Sequence, residues 1–317
     1  MPILTLQCTS MDLETVTKSI GWTYVLVWGV ANYPTVISNT QLKSVQGISI
    51  DYMYFNLMGF VLYTLYTGSM YSSALVRREF FEETHEWPLI KLNDVIFGIH
   101  NLFTNSVIMS QAYCWGFKKN DNQRLSCMAK LVLSCVFAYL MGGCYYIYTS
   151  QGWEPVPNVF NWSRLLTSLG LVKIAMSVCK NIPQILYNYN RKSTHGWPIL
   201  MIWLDFVGAL LSFVQLCLDG YIVGDLSTIF DNKPKLFLAV QVFIADFIFF
   251  LQHYYLYYKR DIETFGAVNY GAIEQDERFL LEHTHDHDHL PGIMSTSTSS
   301  SCPVSNTDKD ELQRLIN

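Results

Sequence analysis

The sequence predicts an all-α membrane protein, with seven transmembrane helices as two parallel three-helix bundles (helices 1–3 and 5–7) joined by helix 4. Three observations lead there. Half of the residues are hydrophobic and only 15% are charged. The charges gather in short segments between apolar runs of about 18–25 residues, the length that crosses roughly 30 Å of hydrocarbon. And one stretch of the chain occurs twice. Tyr33-Pro34-Thr35, Asn39, Lys43-Ser44-x-x-Gly47 and Asn56-Leu57-Met58-Gly59 match Ile182-Pro183-Gln184, Asn188, Lys192-Ser193-x-x-Gly196 and Asp205-Phe206-Val207-Gly208 at the same spacing, as a duplicated unit would.

The apolar runs place helix 1 at 20–38, helix 2 at 51–74, helix 3 at 93–115, helix 4 at 128–149, helix 5 at 163–187, helix 6 at 198–220 and helix 7 at 236–258. Residues 1–19 form a short leading segment, 20–115 the first repeat, 128–149 the linker helix, 160–258 the second repeat and 259–317 a polar tail. The duplicated proline helices are the first and fifth spans, an even number of spans apart, so the copies run parallel. Parallel repeats are a transporter architecture, with the substrate held near mid-membrane between the halves. In the third helix of each copy, Asn93-Asp94-Val95-Ile96-Phe97 matches Ala245-Asp246-Phe247-Ile248-Phe249, with three residues of extra spacing. That match sets Asp94 and Asp246 at one place in the two repeats.

Basic residues orient the bundle. Lys43, Lys118, Lys119, Arg124, Lys130, Arg191, Lys192, Lys259 and Arg260 fall on one side, while Arg77, Arg78, Lys91, Lys233 and Lys235 fall on the other. Nine against five places the first set and the tail in the cytosol, and the N-terminus in the lumen or outside.

Polar residues within the spans line up in stripes. Helix 5 carries Lys173, Ser177, Lys180 and Gln184 along one face. Helix 6 carries Asp205, Gly208, Ser212 and Gln215, helix 3 Asp94, Gly98, Asn101 and Asn105, and helix 2 Asn56, Gly59, Tyr63 and Tyr66. The spacing is helical. Ionisable groups at membrane depth are costly and face a bundle interior or a wet cavity, so the stripes are expected to converge on one. The amides and hydroxyls also suit interhelical packing, and Lys180 is near enough to the cytosolic end to snorkel. Pro34 and Pro183 have no amide hydrogen, which leaves the carbonyls of Val30 and Cys179 without their usual partners. Matched weak points in matched helices form either a static kink or a hinge with Gln184.

The signature Pro183-Gln184, Lys192-Ser193-Thr194-x-Gly196-Trp197, Leu204-Asp205-Phe206-x-Gly208, Pro234-Lys235 and Asp246-Phe247-x-Phe249-Phe250-x-Gln252-His253 resembles the PQ-loop transporters. Within them it is similar to the cystinosin family of lysosomal cystine/proton symporters. Gly21-Trp22, Tyr33-Pro34, Lys43-Ser44-Val45-x-Gly47, Asp51 and Asn56-Leu57-x-Gly59-Phe60 extend the match from about Gly21 to Arg260. The resemblance implies proton-coupled export of L-cystine from a lysosomal or vacuolar lumen by alternating access. It implies that Asp205 couples proton to substrate with Asp246 and Asp94 assisting, and that Trp28 belongs to the cavity rather than to a lipid interface. Cystine carries two carboxylates and two ammonium groups; Lys173 and Lys180 suit the former, and Asn56, Asn188 and Asp205 the latter.

The chain departs from the family pattern in three places. Thr35 stands where a first glutamine is expected. Only about twenty residues precede helix 1, without a signal-peptide pattern, whereas animal members carry a long glycosylated luminal region. The sole sequon, Asn161-Trp162-Ser163, lies close to the membrane edge and is a poor acceptor.

No nucleophile–base pair or phosphate-binding glycine loop is present in the sequence, so no enzyme activity is expected, and no cofactor beyond protons as coupling ion. The eight scattered cysteines lack metal or disulfide spacing and read as packing residues. The tail from about Asp261 has the composition of a disordered segment. Tyr270 with Ile273, and Asp276 with Leu280 and Leu281, fit endolysosomal sorting signals read by clathrin adaptors. His283 to His289 is a solvated polar tract, with a divalent metal as the other reading. The net charge of −5 implies no nucleic-acid partner. Two alternatives stay open: a carrier of another small solute such as a cationic amino acid or a sugar, and a seven-helix cargo or signal receptor.

Overall fold

A computed structural model describes residues 2–88, 90–150, 160–223 and 233–261, and these are helical except for short connections. Helix 1 begins far earlier than the apolar run suggests. α1 covers Pro2–Val30, because no Gly or Pro interrupts the chain from Ile3 to Ile20. It stops just ahead of Pro34, and α2 (Tyr33–Leu42) restarts with that proline in its first turn, where a missing N–H costs nothing. The second repeat breaks in the same way: α7 (Trp162–Cys179) gives way to α8 (Asn181–Arg191) around Lys180 and Pro183. Both short helices end on a lysine in the left-handed region, Lys43 at φ 44° and Lys192 at φ 54°.

α3 (Ile50–Ser72) ends where Ser73 turns extended, and the Ser73 Oγ then accepts the Val76 N–H at 3.4 Å to start α4 (Ala74–Thr84). The connection after helix 2 is therefore itself helical. α5 (Leu92–Tyr113), α6 (Cys127–Ser150), α9 (Ile199–Val223) and α10 (Lys233–Phe250) supply the remaining long helices. α10 passes into a π-helical turn at Leu251–Leu256. Among the described residues four helical stretches have both the length and the composition to cross a membrane: Cys127–Ser150, Trp162–Arg191, Ile199–Ile222 and Ala239–Leu256. α1, α3 and α5 have the length but interleave polar groups, several of which face the cavity described below.

The helices pack in a repeated order. In the first repeat α5 lies between α2 and α3; in the second, α10 lies between α9 and the α7–α8 pair. The third helix of each unit thus sits between the first two, an order 1-3-2 in both. Between the units, α1 packs on α9 and α3 on α7, so the first helix of each repeat meets the second helix of the other. A two-fold relation along the bundle generates one contact from the other. α6 lies outside this pair, against α3 and α7, and turns Leu131, Phe137, Tyr145 and Tyr148 outward.

Two apolar clusters hold the ends. One gathers Val45, Ile48, Tyr52, Trp197, Ile202 and Phe249 around the loops 43–49 and 192–198. There the Trp197 ring meets Tyr52 edge-on at 4.9 Å and Phe249 at 5.6 Å. The other joins Leu62, Met70, Val76, Ile147, Leu165 and Leu169 at the α4 end.

Candidate functional site

Between the repeats lies a cavity of about 550 Å³, within the usual range for small-molecule sites. Tyr24, Trp28 and Asn32 line it from helix 1, Asn56, Gly59 and Tyr63 from helix 2, and Asp94 and Asn101 from helix 3. Lys173, Ser177 and Lys180 line it from helix 5, Asp205 and Ser212 from helix 6, and Gln241 and Val242 from helix 7. The stripes therefore converge. The Lys180 Nζ donates to Asn56 Oδ1 at 3.4 Å and lies 5.5 Å from the Tyr52 ring, while the Lys173 Nζ lies 5.2 Å from the Tyr63 ring. Aromatic faces and one amide hold the ammonium groups, which leaves them free for carboxylates of a bound molecule.

Trp28 is a cavity residue. Its Nε1–H donates to the Asp205 carbonyl at 3.2 Å. Its ring fills the space that a side chain at Gly208 would need, for a Cβ there would lie 2.5 Å from Nε1. Gln215, the last of the helix 6 stripe, lies past the cavity and donates to the Thr17 carbonyl at 3.0 Å.

Beyond Asn32 and Met201 the bundle is closed by the two repeat loops. Gly47 and Gly196 meet backbone to backbone: a Cβ on Gly47 would sit 2.0 Å from the Gly196 carbonyl carbon. Gly196 is left-handed, at φ 78°. Gln184 reaches across this seam. Its Oε1 accepts the Ser49 N–H at 2.7 Å, and its Nε2 donates to the Gly47 carbonyl at 3.0 Å and to Asn188 Oδ1 at 2.9 Å. The Tyr187 hydroxyl donates to the Gln46 carbonyl at 3.0 Å, and Gln123 Nε2 donates to the carbonyls of Val45 and Ile48 at 2.8 and 2.6 Å. On the second loop, Asp261 accepts from the Thr194 N–H at 3.0 Å and from Ser193 Oγ. Asn188 is wholly buried in this closed end and does not line the cavity; its Nδ2 donates to Gln252 Oε1 at 3.1 Å.

These bonds also set the register of the third helices, and they correct the match of Asp94 with Asp246. In the first repeat Asn39 Nδ2 donates to Gln111 Oε1 at 2.8 Å, and Gln111 Nε2 to the Val36 carbonyl at 3.0 Å. In the second, Asn188 donates to Gln252, and Gln252 Nε2 to the Ile185 carbonyl at 2.9 Å. Gln111 and Gln252 are therefore counterparts, and counting back six residues from each pairs Asn105 with Asp246. Asp94 instead starts its helix, where its Oδ2 accepts the Lys91 N–H at 2.8 Å. Asn105 Oδ1 accepts from Asn56 Nδ2 at 2.6 Å, so the first repeat holds a neutral amide pair where the second has Asp205 and Asp246. Asp246 is 1% exposed, and its Oδ2 has no hydrogen-bond partner among the described residues. The glutamine bridges were overlooked in the sequence; the shared Asn39 and Asn188 were the available signal.

The same symmetry explains Thr35. A glutamine at that position would face the Gly196 carbonyl and residue 198, as Gln184 faces Gly47 and Ser49. Residue 198 is proline, which has no N–H to give. Thr35 turns to Met201 Sδ instead, at 3.1 Å. We expect Thr35→Gln alone to gain one cross-seam bond and Thr35→Gln with Pro198→Ser to gain two. At about 1 kcal/mol per bond, the second change adds a further roughly fivefold protection of the loop amides. Hydrogen exchange over 43–49 and 192–198 checks it, and a double variant no better protected than Thr35→Gln overturns it.

The sequon is occupied by structure. Asn161 is 3% exposed, caps α7 by accepting the Arg164 N–H at 2.9 Å, and donates to Glu83 Oε1 at 2.7 Å, so its amide is not free for a glycan in this fold. Tyr270, Ile273, Asp276, Leu280, Leu281 and His283 to His289 lie outside the described residues. Among the described residues no group of His, Cys, Asp and Glu could hold a metal ion.

The PQ loop repeat family matches residues 16–72 and 165–224, the segments containing the two proline breaks and both loops. The chain is 32% identical over 246 residues to a Caenorhabditis elegans cystinosin homolog, covering 77% of this chain and 58% of that protein. It is 32% identical over 248 residues to Bos taurus cystinosin, covering 77% of this chain and 64% of the relative. A Saccharomyces cerevisiae protein named as a cystine transporter is 27% identical over 257 residues, covering 76% of this chain and 94% of its own. The chain thus spans less than two thirds of the length of these two animal relatives.

Proposed function

The chain belongs to the cystinosin family of PQ-loop membrane proteins, and from that premise we propose that it exports cystine with protons from an acidic lysosomal or vacuolar lumen by alternating access. The observation that carries this reading is the charge pattern of the cavity. Lys173 and Lys180 present two cations and Asp205 an anion within one space of about 550 Å³, a complement to a ligand with two carboxylates and two ammonium groups. The names of the relatives favour transport over covalent chemistry.

In this reading the α4 end is luminal and the loops 43–49 and 192–198 are cytosolic, so the structure corresponds to a state shut toward the cytosol. Cystine enters past Asp94 and Tyr24, its carboxylates meet Lys173 and Lys180, and an ammonium group meets Asp205. Protonation of the second repeat's acids accompanies loading; a protonated Asp205 is no longer an ion-pair partner but keeps an oxygen that accepts from the ammonium group. The halves then rock about the breaks at Asn32–Pro34 and Lys180–Pro183, Gln184 releases Gly47 and Ser49, and cystine and proton leave together. The test uses a form displayed at the cell surface after the tail signals at Tyr270 and Leu280-Leu281 are removed. Saturable uptake of labelled cystine that is faster at pH about 5 than at about 7, and is not competed by lysine or glucose, supports the assignment. Surface display without cystine uptake overturns it.

A further inference from the structure

We propose that Glu79 is a second proton-binding site of this protein, away from the substrate cavity, which clamps α4 onto the first turn of α7 when it carries a proton. The observation is a buried carboxyl with one oxygen used and one idle. Glu79 is 2% exposed, and its Oε2 accepts the Ser163 N–H at 2.9 Å. Its Oε1 has no hydrogen-bond partner among the described residues, and neither has the Ser163 hydroxyl, which is 1% exposed on the facing helix. A buried carboxylate with an unsatisfied oxygen is costly; a carboxylic acid keeps the acceptor for Ser163 and turns the idle oxygen into a neutral O–H.

The surroundings offer no cation to offset the charge. On its own helix, Glu83 is engaged by Arg164 of α7 at 2.8 Å, Glu82 pairs with Arg78 at 3.0 Å, and Arg77 lies over the Trp87 ring at 5.6 Å. α3 and α6 contribute only Asp51 and Lys130, both in the first turn at the opposite end of those helices. At this end they bring Met70 and Ile147 into one apolar cluster with Val76 of α4 and Leu165 and Leu169 of α7. Burial pushes the carboxyl above its ordinary range; the Ser163 and Trp162 N–H groups at the start of α7 oppose this, and Glu83 and Glu82 add to the rise.

The sign follows from that direction. A carboxyl raised in the packed state binds its proton more tightly there than when α4 is detached. The seam is therefore stabilised in acid and loses that stabilisation as the pH rises through the folded-state value. α4 belongs to the first repeat and α7 to the second, so the clamp ties the halves together at the end away from the repeat loops. α7 also carries Lys173 and leads into the Pro183 break. That this end meets acid rests on the orientation given above; the clamp itself does not depend on cystine.

The test is hydrogen exchange on the purified full chain, over peptides covering the start of α7, corrected for intrinsic rates. We expect exchange to be slower at pH about 5 than at about 7.5, by about threefold for a carboxyl raised by one unit and about 25-fold for one raised by two. Glu79→Gln, which is neutral at every pH, should exchange slowly at both. Wild type with equal protection at both values, or Glu79→Gln with the wild-type pH dependence, overturns the proposal. Should Glu79→Gln fail to fold, Glu83→Gln serves: losing the adjacent negative charge and freeing Arg164 should move the transition to lower pH, and an unmoved transition overturns it. Transport is not part of this readout, so loss of the clamp and loss of the cystine assignment are separable.

Discussion

Gly47→Ala is expected to reduce cystine uptake about a hundredfold while leaving the protein folded and at the membrane. The added methyl would lie 2.0 Å from the Gly196 carbonyl carbon and 2.1 Å from its oxygen. Both are backbone atoms, so no side-chain rotation relieves the overlap and the two loops must separate. Separation stretches the bonds that cross from α8 to the first loop: Ser49 to Gln184 at 2.7 Å, Gln184 to Gly47 at 3.0 Å and Tyr187 to Gln46 at 3.0 Å. Three bonds at about 1 kcal/mol each amount to roughly a hundredfold fall in the population of the closed state. A carrier that cannot shut one side cannot alternate. Initial uptake rate, normalised to the amount at the surface, checks this. Gly142→Ala on α6, where a Cβ meets nothing within 4 Å, is the control expected to match wild type. Uptake by Gly47→Ala at the control rate would mean that contact between the loops is no part of the cycle.

The repeat was legible in the sequence because one constant offset of 149 residues runs from Tyr33 and Ile182 to Gly59 and Gly208. Proline, glycine and the charged loop residues hold that spacing since each occupies a backbone feature: a break, a left-handed cap, a backbone contact. The register was lost at the third helix. The connection between the second and third helices, which holds α4 in the first repeat, differs in length between the copies, so spacing no longer carries across, and a short local similarity around Asp94 and Asp246 took its place. Side-chain bonds of Gln111 and Gln252 restore the match, and only coordinates display them. α4 was missed for a different reason. Its sequence from Arg77 to Glu83 is mostly charged and reads as a solvated loop, yet Val76 and Glu79 are buried against α7, and that packing is tertiary. Convergence of the stripes in helices 2, 3, 5 and 6 was readable because burying a charge in a membrane leaves few places for it to go. Asn188 was misplaced because its residue type suits a ligand as well as it suits a glutamine neighbour, and composition cannot choose between the two.

Asp205→Asn is expected to remove the acid stimulation of uptake, bringing the ratio of rates at pH about 5 and about 7 to about one. The expectation comes from comparing the repeats with each other. At two matched positions of the second and third helices, the first repeat has Asn56 and Asn105, bonded at 2.6 Å, and the second has Asp205 and Asp246; Asn56 and Asp205 line the cavity, and Asn105 and Asp246 are buried. Two copies that agree on prolines, loops and glutamine bridges differ at the place where a proton could bind. An asparagine at 205 makes the second repeat resemble the first there, keeping the shape and removing a titratable group. Lys173 and Lys180 remain, so carboxylate recognition persists and residual uptake should saturate. Asp246→Asn is the necessary companion, because Asp246 is the more deeply buried of the two and has an unpartnered oxygen. If Asp205→Asn retains the wild-type pH ratio and weakens cystine binding alone, while Asp246→Asn abolishes the ratio, then Asp205 serves the substrate ammonium and the proton resides on Asp246. If both variants retain the ratio, Asp205 and Asp246 do not couple protons, and the acid dependence must originate elsewhere in the chain, with Glu79 the first residue to examine.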